Sequence, residues 1–202
     1  MLYAAVQARL LELGSEYFPL TLTIDPISTA QPKNYRNPPI GRRLESATLV
    51  NSEVNAICGA QLTQVCQPIL LGKIPDSWKP LIEAQQEMFE SSLAIIKTGA
   101  TFGALRDCVN AIAVKQRVKA VMQLQGCGYG DDGPLFSKRM LNQSRWDLAM
   151  EEGCAFVWKP TALSTDEEMQ FVAGGPMLVT KHGAVTFFKP SYGVISPAEI
   201  PI

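Results

Sequence analysis

Apolar and polar positions alternate along this chain with two periods, and each switch between them marks an element. From Leu2 to Leu13 the apolar residues Tyr3, Val6, Leu10 and Leu13 share one helical face, and Gly14 is placed to end the helix. Leu20 to Ile24 alternates with period two and predicts a half-buried strand. Residues 26–43, rich in Pro, Asn and Arg, predict a long irregular connection. Two strands are expected at 47–54 and 61–71, with a turn near Cys58-Gly59. Pro75 to Thr98 predicts a helix with Ile82, Phe89, Leu93 and Ile96 on one face, Pro80 in an early turn and Gly99 closing it. Thr101 caps a second helix through Ala113, carrying Leu105, Val109 and Ile112. Val118 to Leu124 predicts a strand running into the glycine-rich loop Gln125-Gly126-Cys127-Gly128-Tyr129-Gly130. Residues 154–159 and 170–188 supply three more strands, with turns at Gly174-Gly175 and Lys181-His182-Gly183. Helices followed by groups of strands predict an α+β fold, with helices packed on one face of a largely antiparallel sheet.

Composition narrows the class of partner. Among 202 residues, 47% are apolar and 18% charged, and the formal net charge is −1. That balance fits one folded domain and gives no electrostatic pull toward nucleic acid or an anionic membrane. No apolar run approaches the roughly 20 residues of a membrane-spanning helix. The N-terminus lacks the basic flank and small-residue cleavage site of a signal peptide, so a cytoplasmic location is expected. The five cysteines (58, 66, 108, 127 and 154) never fall in CxxC spacing, which predicts reduced, buried thiols rather than disulfides or a zinc knuckle.

Two segments carry a sharper signal: Gly153-Cys154-Ala155-Phe156-Val157-Trp158-Lys159-Pro160 and Pro176-Met177-Leu178-Val179-Thr180-Lys181-His182-Gly183. They resemble two signature strands of the creatinase/aminopeptidase, or pita-bread, family. The resemblance runs from Leu2 to about Phe188. It implies a curved, largely antiparallel sheet within a single catalytic-half-like domain over 1–202, without the N-terminal domain that many members carry. In the metallopeptidases of that family the first strand ends in a metal-binding Glu before Pro, and the second carries another Glu. Here Lys159 and Gly174 stand at those places. The Leu71-Gly72 strand end puts Gln64 at a metal-binding Asp and Gln67 at a following Arg, with Gln61 as the competing register. Glu53, eleven residues before Gln64, matches the other Asp. Gln125 falls at the ligand His, and Asp132 at a second, substrate-facing His.

The five ligand places thus read Glu53, Gln64, Gln125, Lys159 and Gly174. A cation and a bare glycine cannot ligate a divalent metal. The resemblance therefore implies a degenerate member with no metal and no other cofactor, not a metal-dependent aminopeptidase. If the fold is kept, Lys159 points into the emptied site, pairing with Glu53 and hydrogen-bonding Gln64 and Gln125, because a buried charge needs a partner. Trp158 alternates with Lys159 and is expected to face the helices.

Other constellations carry less. The loop at 126–133 lacks the Gly-Lys-Ser/Thr ending of a phosphate cradle, and tight-turn geometry accounts for its glycines. Cys127 has no base within reach, since the sole histidine, His182, falls in a turn. Asp131 and Asp132 read as solvated loop acids. Three functions remain open: a pseudoenzyme that binds a small polar molecule or peptide in the former cleft; a metal-free hydrolase like creatinase acting on a C–N bond; and an assembly subunit forming a homodimer or binding a protein partner.

Overall fold

The computed structural model describes residues 2–27, 44–127, 131–137, 145–192 and 194–195. Most of the connection expected at 26–43 and the tip of the glycine-rich loop lie outside them. Helix α1 (Leu2–Glu12) leads into β1 (Thr21–Pro26), β2 (Thr48–Cys58), β3 (Gln61–Cys66) and β4 (Ile69–Leu71). A 3-10 turn at Asp76–Trp78 opens α2 (Lys79–Ser92), and α3 (Phe102–Gln116) follows. Strands β5 (Lys119–Val121), β6 (Leu124–Cys127), β7 (Asp131–Phe136), β8 (Ala155–Trp158) and β9 (Thr161–Leu163) come next. They are followed by β10 (Gln170–Val172), β11 (Gly175–Thr180), β12 (Gly183–Thr186) and β13 (Val194–Ile195).

Among the described residues these strands form three sheets, ordered β1-β2-β4-β13 with β3 on β2, β10-β9-β5, and β12-β11-β8-β6-β7. Among the described strand pairs, only β13 on β4 is parallel. The last two sheets are built from the same stretches of chain. Residues 119–127, 155–163 and 170–180 each run through both and bend between them. At the bend the Lys159 amide donates to the Gln123 carbonyl at 2.9 Å. The first sheet is stitched to this bent layer where Cys66 and Gly174 exchange two backbone hydrogen bonds of 2.8 and 3.0 Å.

Helices cover the faces turned away from that junction. Leu81, Met88 and Phe89 of α2 and Leu105 and Val109 of α3 share a core with Phe156, Trp158 and Phe171. Leu2, Tyr3 and Val6 of α1 lie on Leu20, Leu22 and Val50. The α+β architecture expected from the sequence is the one observed, and the expected turn at Lys181-His182-Gly183 closes the β11–β12 hairpin.

Several details differ from expectation: the strand expected at Val118–Leu124 is split into β5 and β6, and Gln125–Cys127 and Asp131-Asp132, expected in a loop, belong to β6 and β7. Helix α2 stops at Ser92 rather than near Thr98. The backbone groups that further turns would use go instead to the β11–β12 hairpin: Ala184 N donates to Leu93 O at 2.7 Å and Thr98 N to Thr180 O at 3.0 Å. Tertiary partners outbid helix propensity there. The stretch 61–71 is broken into β3 and β4 around Gln67-Pro68, since Pro68 has no amide to donate to a ladder. Strand β9, directly after Pro160, has no alternating pattern because all three of its residues are buried. As expected, Thr101 caps α3, its hydroxyl accepting from Ala104 N at 3.1 Å.

Candidate functional site

Strand alternation creates a polar patch at the junction of the sheets. On β2, Asn51, Glu53 and Asn55 share the face opposite Val50, which packs toward α1. The β2–β3 register sets Asn55 across from Gln64 and Glu53 across from Cys66. Gln125 on β6 and Lys159 at the end of β8 reach the same patch from the bent layer.

Lys159 is its centre. The side chain is 1% exposed, and its Nζ stands 3.3 Å from Glu53 Oε1 and donates to Gln64 Oε1. Glu53 divides its two oxygens: Oε2 accepts the Thr21 hydroxyl at 3.2 Å, and Oε1 accepts both Lys159 and the Cys66 thiol, the latter at 3.6 Å. Gln64 is fixed on both sides of its amide. Its Nε2 donates to Asn55 Oδ1 at 2.8 Å, while its Oε1 accepts from Gln125 Nε2 at 3.5 Å. Asn55 in turn donates to Pro19 O at 3.1 Å. Burial pushes the Cys66 thiol up to about 12, against the opposing pull of the Lys159 ammonium, and the Glu53 carboxylate adds to the push.

The structure thus brings Glu53, Gln64, Gln125 and Lys159 together. It does not bring Gln67 there. That side chain turns toward the C-terminal segment, donating from Nε2 to Ser191 O at 2.8 Å and accepting from Ser191 N at 2.8 Å. It ties down a loop. Asp132 sits in β7 opposite Gly126, and its side chain lies outside the described residues. Cys127, considered above as a nucleophile, is half-buried, and burial raises its thiol.

Four contributors escape a reading by motif: Thr21, Asn55, Cys66 and Gln85. Asn55 had a signal, because polar residues at every second position from Asn51 to Asn55 mark one face of a strand. Gln85 had none. It is fully buried on α2, and its Nε2 donates to Pro160 O at 3.1 Å and Ala173 O at 2.6 Å, pinning two of the three bends beneath Lys159 and Gly174.

Gly174 settles whether a metal-ligating side chain fits at its position. Its φ is +153°, and a Cβ there would lie 2.0 Å from Trp158 O and 2.9 Å from Lys159 Cα. No residue with a side chain fits without moving β8. The remaining donor set is one carboxylate, two amides and an ammonium that has no lone pair to give, so these residues do not fit a dinuclear metal centre. Among the described residues no three His, Cys, Asp or Glu side chains are grouped to hold a metal ion.

Bent antiparallel sheets, helices on the outer faces and a polar centre at the bends define a pita-bread fold. Solved structures of that fold superpose closely. The X-Pro aminopeptidase of Thermotoga maritima matches with a TM-score of 0.77 at 15% identity, over 96% of this chain and 54% of that one. The prolidase of Thermococcus sibiricus gives 0.77 at 14%, over 96% and 52%. The methionine aminopeptidase of Rickettsia prowazekii gives 0.71 at 16%, over 92% and 84%. In sequence, the chain is 23% identical over 122 residues to mitochondrial methionine aminopeptidase 1D of Mus musculus, covering 60% of this chain and 36% of that protein. The chain thus spans about half the length of the first two structures and about a third of the curated relative. No protein-family model matches it. Among the described residues no helix is long and apolar enough to cross a membrane.

Proposed function

We propose that this chain is a metal-free, non-peptidase pita-bread domain that binds a small polar molecule or peptide in the cleft above its polar centre. The observation that carries the reading is a buried lysine, paired with Glu53 and Gln64, at the place where the resemblance puts a metal ligand. Lys159 supplies from within the protein the positive charge that Glu53 requires, and Glu53, at 18% exposure, is the charged member of the centre open toward solvent. Two further atoms support a polar occupant. Thr23 Oγ1 and Asn51 Nδ2, paired across β1 and β2 one step along the same face from Glu53, are buried without a hydrogen-bond partner. Buried donors left unpaired in a native protein call for water or a ligand. A ligand bearing an amine would meet Glu53, and its carbonyl or carboxylate would meet Asn51 and Thr23. Hydrolysis in the manner of creatinase is the weaker reading, because Gln125 holds the place of the histidine and an amide does not exchange protons near neutral pH.

A thermal-shift screen of amino acids, short peptides and guanidino and ureido compounds tests this reading. At least one compound should stabilise the chain, by about 2.7 kcal/mol at a hundredfold excess over its Kd. Glu53→Gln and Gln125→Leu should each abolish that shift. Hits that survive both substitutions, or no hit across the library, would contradict the proposal.

A further inference from the structure

The polar centre sets the buried amine of Lys159 against a carboxamide and a partly exposed carboxylate. We propose that Lys159 and Gln64 close into an intramolecular isopeptide bond, with Glu53 carrying the protons. The ion pair described above is then the reactant state; in the bonded product Lys159 carries no charge, and Glu53 remains a carboxylate that the amine of a ligand can still meet.

Each part of the chemistry has a residue in place. The nucleophile is Lys159 Nζ, which donates to Gln64 Oε1 and so lies against the amide it would attack. The proton acceptor is Glu53 Oε1, 3.3 Å from Nζ and kept on that side because Thr21 holds the other oxygen. Gln125 Nε2, 3.5 Å from Gln64 Oε1, faces the oxygen on which negative charge would develop. Asn55 Oδ1, 2.8 Å from Gln64 Nε2, fixes the amide so that it cannot swing away. Nucleophile, base and oxyanion donor converging on one carbonyl is the arrangement that nucleophilic acyl transfer requires. Holding them in fixed geometry supplies the effective concentration that free side chains lack.

The step balances without an outside reactant. Glu53 takes a proton from the ammonium, and the freed lone pair attacks Gln64 Cδ to form the new C–N bond. The charge on Oε1 is met by Gln125. Glu53 relays two protons in all from Nζ to Nε2, the Cδ–Nε2 bond breaks, and the nitrogen leaves as ammonium. One positive charge enters and one departs, and Glu53 ends as the carboxylate it began. Its partial exposure gives the ammonium a way out. The bond would join positions 95 residues apart, fastening β3 of the first sheet to the end of β8 in the bent layer.

Mass spectrometry of the purified chain under denaturing conditions tests the proposal. The expected mass is one ammonia below that of the sequence, and a tryptic digest should yield a branched peptide containing both Gln64 and Lys159. In Glu53→Gln, shown to be folded by circular dichroism, the full mass should return. In Gln64→Glu the same bond would form with loss of water instead, separating this cross-link from unrelated deamination. A parent chain of full mass would overturn the proposal, as would a deficit that maps to any other peptide.

Discussion

Trp158 and Lys159 stand side by side where β8 ends, 0% and 1% exposed, yet they are buried for opposite reasons. Trp158 faces α2 and joins a core with Phe156, Met88 and Phe89; its one polar atom, Nε1, donates to Ser92 Oγ at 2.7 Å. Apolar area drives that burial, and a single hydrogen bond satisfies what remains. Lys159 faces the other side of the strand, where burial is a cost, offset only because Glu53 and Gln64 were placed to receive it. One face of a strand end builds the core and the other fills the polar centre. The comparison teaches that a core can tolerate a buried cation when its partners are placed to receive it.

Gly174 separates the two faces most severely. Gly174→Ala should prevent folding or cost more than about 5 kcal/mol, because its Cβ would meet the Trp158 carbonyl. Placing a carboxylate there with Gly174→Glu should therefore give insoluble or unfolded protein rather than a metal site. Expression yield and circular dichroism read this directly, and a stable Gly174→Glu chain would break the comparison.

Next in size are the neighbours themselves. Trp158→Ala should cost about 3–5 kcal/mol through the cavity it opens. Lys159→Ala should cost about 3 kcal/mol, toward the low end for a broken buried pair because Glu53 keeps 18% exposure. The losses differ in how they can be undone. The double change Lys159→Met with Glu53→Leu should recover part of the deficit, whereas no change at Ser92 should rescue Trp158→Ala. Urea denaturation of these variants measures both. A Lys159→Ala chain as stable as its parent would place Lys159 outside the interior.

This difference also marks how far the sequence could be read. The apolar face was legible from periodicity alone: Ile82, Phe89, Leu105, Val109 and Ile112 lie on the helical faces their spacing predicted, and all are in the core. On the polar face, the pairing of Lys159 with Glu53 and Gln64 follows from two facts visible in the sequence, a lysine where a ligand belongs and the need of a buried charge for a partner. What could not be read depends on contacts between distant elements. Gln67 turns outward because Ser191, far along the chain, offers it two backbone groups. Gln85 points inward because two strand bends need their carbonyls satisfied. Helix α2 ends early because a hairpin some ninety residues later takes the Leu93 carbonyl and accepts from the Thr98 amide, and no local pattern encodes that.

The smallest expected effect sharpens the electrostatics. Cys66 has its pKa raised from 9.0 to about 12, so above pH 9.0 the unfolded thiol ionises while the folded one keeps its proton. The unfolded state then binds fewer protons, and stability should fall as pH rises from 9.0 toward 12, with no contribution below 9.0. Cys66→Ala should lose that part of the slope. At pH 8 a thiol reagent should modify the exposed Cys58 and leave the buried Cys66 intact. Modification of Cys66 in folded protein at that pH would mean the centre opens to solvent.

Lys159, we propose, takes the place that a metal holds in the metallopeptidases of this fold. Elemental analysis of protein purified without chelator tests it most directly. The account predicts no stoichiometric manganese, cobalt, zinc or iron, before or after incubation with each ion. One tightly bound ion per chain, lost on Glu53→Gln, would contradict it.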